Sequence, residues 1–65
     1  MRYEIRLAGR LPANWTDWWG DFDCTVLENG DTVLTGTVSD QAALMGLLNA
    51  MCQLNLTLLS VRLLD

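Results

Sequence analysis

The 65-residue chain has no histidine and no lysine. Without histidine, no side chain has an ordinary pKa near neutrality, and no imidazole is present to serve as a general base or metal ligand. Without lysine, all positive side-chain charge rests on four arginines, set against eight carboxylates for a net charge of −4. A chain with that balance does not draw phosphate backbones by its overall field, so no nucleic-acid partner is expected. Cysteine is scarce as well. Cys24 and Cys52 lie far apart and no CxxC pair is present, so the usual zinc spacing is missing and neither metal nor cofactor is expected. Spacing alone leaves a disulfide open. The opening segment MRYEIRLAGR is charged and carries no apolar h-region. The expectation is therefore a cytoplasmic chain with reduced thiols. No membrane span is expected either. The uncharged run 41–61 is interrupted by Gln41, Gly46, Asn49, Gln53, Asn55, Thr57 and Ser60. Its apolar residues are never continuous over the roughly 18 positions a span requires.

Apolar side chains, by contrast, are abundant: they make up 51% of the chain, against 18% charged. The length implies one domain, 1–65. So small a domain buries a modest share of its surface, and stable examples lean on disulfides, a metal or a second copy. With the first two disfavoured, self-association remains, and a homo-oligomer is expected, a dimer before any larger form.

Hydrophobic period divides the chain into elements. RYEIRLAG alternates, with Tyr3, Ile5 and Leu7 on one side and Arg2, Glu4, Arg6 and Ala8 on the other, as in a half-buried strand. In LPANWTDWWG, Pro12 suits a first helical turn and Gly20 a helix end. At 100° per residue, Leu11, Trp15, Trp18 and Trp19 share one arc, which predicts an amphipathic helix of about two turns with Trp15 deepest. DFDCTVLENGDTVLTGTV reads as a hairpin around Asn29-Gly30. A two-residue turn would set Leu34 and Val38 opposite Phe22. A three-residue loop, Glu28-Asn29-Gly30 with Gly30 left-handed, pairs Val26 with Thr32 and Cys24 with Leu34. It gathers Phe22, Cys24, Val26, Leu34 and Val38 on one face, with Gly36 beneath them. Because a one-residue slip inverts every side chain, the three-residue loop is preferred. A second helix follows, with Ser39 as the expected N-cap, Asp40 in its first turn and Asn55 at its end. Leu44, Leu47, Leu48 and Met51 form its apolar centre. LTLLSVRLL closes the chain as a strand, with Leu59, Val61 and Leu63 facing one way and Leu58, Ser60, Arg62 and Leu64 the other.

The order β-α-β-β-α-β packs most simply as an α+β, ferredoxin-like arrangement: a four-stranded antiparallel sheet with both helices on one face. Right-handed crossovers give the strand order 4-1-3-2.

RYEIRLAGRL, the W-x-x-W pattern of Trp15 and Trp18, ENGDTVLTG, DQAALMGLL and LNLTLLSV together resemble a family of short uncharacterised bacterial proteins. The resemblance covers nearly the whole chain and implies no particular activity. Where the family often has histidine, this chain has Met45. Where it has a basic-acidic stretch, this chain has Asn49-Ala50-Met51-Cys52-Gln53. Both departures remove charge from the second helix. The family also often has phenylalanine at the position of Trp19, which implies a demand for aromatic bulk there.

Four groups of residues are candidate sites. The tryptophans suit a stacking platform, but their shared arc with Leu11 favours closure of the core. The outer surface of the second helix carries Gln41, Ala42, Met45, Gly46, Asn49, Ala50, Cys52 and Gln53, none of them charged, whereas an outward face ordinarily carries charge. Small Ala42, Gly46 and Ala50 permit close approach and Met45 supplies an adaptable apolar contact, so an oligomer interface is favoured over a bland solvated face. The open sheet face carries Arg2, Glu4, Arg6, Asp23, Thr25, Val33, Thr35, Ser60 and Arg62. Arg6 and Arg62 are candidate anion ligands there, although cross-strand pairing with Glu4 and Asp23 is the simpler reading. This face has no aromatic pair of the RNA-recognition kind, and it equally suits the stacking of two sheets. Cys24 reads as core and Cys52 as a flank position, with no base or cation near in sequence to raise a thiolate.

These features point to a small self-associating interaction module without catalytic activity. An unknown protein partner is the further possibility for the same surface. The alternative is a sensor binding an anionic or aromatic metabolite at a subunit boundary near Arg6, Arg62 or Trp18. An enzyme is the weakest reading.

Overall fold

The computed structural model describes Met1–Asp65. Its elements follow the order β1 (Arg2–Ala8), α1 (Thr16–Trp19), β2 (Asp23–Val26), β3 (Thr32–Thr37), α2 (Gln41–Gln53) and β4 (Thr57–Leu63). The four strands form one sheet in the order β2-β3-β1-β4, and every neighbouring pair is antiparallel. This is the expected order read from the other edge. Alternation along β1 sends Tyr3, Ile5 and Leu7 into a core completed by Leu34 and Val38, by Trp19 and Phe22, and by Leu44 and Met51 of α2. Residues from both helices thus join a single cluster on one face of the sheet.

The hairpin has the expected register. Cys24 stands opposite Leu34 and Val26 opposite Thr32. The Leu27 N–H donates to the Asp31 carbonyl at 2.7 Å, closing a loop of Glu28, Asn29 and Gly30. Gly30 has φ +91°, a conformation that costs glycine little. Asp31 steadies the turn: its backbone N–H donates to Asn29 Oδ1 at 3.0 Å, and its own Oδ1 accepts from the Gly9 N–H at 3.2 Å. Gly36 clears a seat for Phe22, because a Cβ there would come within 2.6 Å of the ring.

Three expectations need correction. First, α1 is one turn, not two. Pro12 opens a turn, accepting from Trp15 N–H at 3.0 Å, and Asp17 and Trp18 donate three residues back to Asn14 and Trp15. Such tight turns hold about 3.0 residues rather than 3.6, so the arc computed at 100° per residue fails. Trp19 is consequently the buried indole, Trp15 is half-buried and Trp18 is exposed. Second, the N-cap of α2 is Asp40, not Ser39. Asp40 has an extended backbone, and its Oδ1 accepts from the Ala43 N–H at 2.8 Å. Ending α2 at Asn55 holds: its φ is +62°, Leu56 N–H donates to the Met51 carbonyl and Asn55 N–H to that of Cys52, a Schellman closure. Third, β4 does not alternate cleanly. Arg6 pairs with Ser60 but Leu7 pairs with Leu58, which leaves Leu59 as the extra residue of a β-bulge.

Candidate functional site

Directly opposed residues of an antiparallel pair project from the same face. Leu63 lies opposite Tyr3, Val61 opposite Ile5 and Leu58 opposite Leu7, so all three β4 residues stand on the core side. Yet Leu63 is 54% exposed and Leu58 37% exposed, and only Val61 packs against the cluster. The helical layer is too narrow for the sheet. α1 supplies one turn, and α2, about 10–12 Å across with its side chains, leaves the outer edge of β4 uncovered.

The resulting surface is an open apolar groove of about 550 Å³ between α2 and β4, lined by Met45, Gly46, Leu48, Asn49, Cys52 and Leu58. Met45 is 58% exposed. All seven residues expected at an interface on α2, namely Gln41, Ala42, Met45, Gly46, Asn49, Cys52 and Gln53, are exposed, and four of them line the groove. Ala50, expected on the outer surface, instead packs partly against the core. Reading the sequence alone missed Leu58. The dipeptide Leu58-Leu59 beside polar Ser60 was the available signal, since two adjacent leucines on an edge strand cannot both face the core unless the strand is bulged. Both cysteines are free, Cys24 half-buried and Cys52 exposed.

The groove is uncharged, so nothing in its lining attracts an anion. The other candidates do not converge. Arg6 and Arg62 are exposed and stand on the face of the sheet away from the core, by the same alternation that buries Ile5 and Val61. Trp18 belongs to α1, whose Trp19 enters the core from the opposite side. Arg62 Nη2 lies 3.3 Å from Glu4 Oε2, and Arg2 Nη1 lies 3.5 Å from Asp65 Oδ2. Arg6 makes no ion pair, and Asp23, also considered as a cross-strand partner, forms none.

Taken together, the fold defines an α+β domain in which one antiparallel sheet keeps an apolar strip uncovered on its helical side. The chain belongs to the family described as Domain of unknown function (DUF8691), whose model matches residues 2–62. No curated protein and no solved structure matches it. No helix is long and apolar enough to cross a membrane.

Proposed function

We propose that this protein is a small self-associating interaction module of the ferredoxin-like type, a cytoplasmic homodimer that acts through binding. The observation that carries this reading is the uncovered strip: Leu58 and Leu63 on the core side of the sheet, and beside them a helix face without charge. Apolar residues make up 51% of the chain, but only nine of them are buried. A soluble domain gains by covering such a patch, and a contiguous one marks an interaction surface. The strip also avoids the eight carboxylates: residues 41–64 contain none. Two copies of an acidic chain meeting there bring no acid against acid.

Light scattering at two concentrations about tenfold apart tests this. A dimer mass stable on dilution supports it, and a monomer at both concentrations overturns it. Met45→Glu, which places a charge in the groove, is expected to split the dimer while leaving the fold intact.

The same groove carries the second reading, a sensor for an aromatic metabolite at the subunit boundary. Its volume lies within the range of small-ligand sites, about 300–1,000 Å³. A rise in melting temperature with one member of a panel of aromatic compounds supports this reading, because only binding to the folded state stabilises.

A further inference from the structure

The two edges of the sheet are unequal. β2 has four residues, and Asp21, Asp23 and Glu28 lie in and beside it. Short length and charge are how edge strands resist pairing. β4 has seven residues, no proline, and a single charge, Arg62, which is engaged by Glu4. Its bulge disturbs only the Leu58–Leu59 end, so the ladder from Ser60 to Leu63 is regular and open on its outer side. The direction of its backbone groups follows from one bond. The Leu64 N–H donates to the Arg2 carbonyl at 2.8 Å, which turns even-numbered residues toward β1. Val61 and Leu63 therefore turn their N–H and C=O groups to the free edge.

We infer that β4 pairs with β4 of a second copy, antiparallel about a two-fold axis beside Val61, to make one continuous sheet of eight strands. This inference rests on the self-association proposed above and names its geometry. Placing the axis at Val61 sets Arg62 opposite Ser60 of the second copy. An axis at Arg62 would set two arginines opposite each other, which is unfavourable. The axis runs perpendicular to the sheet, so both α2 helices lie on the same face, side by side above the joined strands. Ala42 and Gly46 allow that approach, and each helix then covers the Leu58 and Leu63 region left open in one copy. A standard interface covers about 800 Å² per partner, about a fifth of the 4187 Å² this chain exposes.

The test is amide hydrogen exchange on the unaltered protein, read with its mass. The expected result is a dimer in which the Val61 amide, which faces Val61 of the second copy across the axis, exchanges roughly a hundredfold more slowly than an unprotected amide and loses that protection only at concentrations low enough to release the monomer. A dimer in which the Val61 amide exchanges freely overturns edge pairing but leaves self-association through α2 standing. A monomer at every concentration overturns both. Leu63→Pro removes an N–H that has no partner within the chain, a substitution edge strands tolerate. It is expected to yield a folded monomer by circular dichroism and mass. A folded dimer from this variant counts against edge pairing.

Discussion

Tyr3 and Leu63 stand opposite each other on β1 and β4 and point from the same face of the sheet, yet Tyr3 is 8% exposed and Leu63 54%. One strand's width separates a finished core from an unfinished one. Both side chains are apolar and both sit on the core side, so the difference lies in what covers them.

Gly36 and Gly30 are expected to resist substitution for different reasons. In Gly36→Ala the new Cβ meets the Phe22 ring at 2.6 to 2.9 Å, an overpacking cost of about 1–3 kcal/mol. In Gly30→Ala nothing lies within 4 Å, so the cost is backbone strain alone, about 1 kcal/mol. Combining each with Phe22→Leu in thermal melts separates them. The smaller side chain relieves the Gly36 variant and does nothing for the Gly30 variant.

Removing the α2 cap is expected to distinguish two adjacent residues. Asp40→Ala loses the bond to Ala43 N–H and destabilises by about 1 kcal/mol. Ser39→Ala stays within about 0.5 kcal/mol. Urea midpoints measure both, and equal effects would return the cap to Ser39.

The three indoles are expected to be unequal. Trp19→Ala, in the core, costs about 3–5 kcal/mol. Trp18→Ala costs about 0.5–1.5 kcal/mol, most of it lost contact with Trp19, whose ring centroid lies 5.8 Å away. Melting temperatures read the difference, and a large loss at Trp18 would contradict this packing.

Thr32 is fully buried, and its Oγ1 hydroxyl donates to the Gly9 carbonyl at 2.7 Å. Thr32→Val keeps the shape and removes the donor, for an expected loss of about 1 kcal/mol. A neutral result in chemical denaturation would mean that water replaces the bond at Gly9.

Much of this architecture was legible from the residues. Alternation in RYEIRLAG identified the buried side of β1, and the demand that Phe22, Leu34 and Val38 share a face selected the hairpin loop. Helical period located Leu44 and Met51. These succeed because each depends on a local repeat, two residues for a strand and 3.6 for a regular helix. Where local geometry departs from the ideal repeat, the reading fails. Tight turns before α1 moved the burial from Trp15 to Trp19, and the bulge brought Leu58 to the core side opposite Leu7.

The candidate site divides the same way. The uncharged outer face of α2 is a property of the residues themselves and was visible as Gln41, Ala42, Met45, Gly46, Asn49, Cys52 and Gln53. That Leu58 and Leu63 extend it, and that Arg6 and Arg62 lie across the sheet from Trp18, was decided only by tertiary structure. Whether an apolar side chain is buried depends on the width of the layer above it. That width is set by how two helices of unequal length cover four strands, which no single segment of sequence contains.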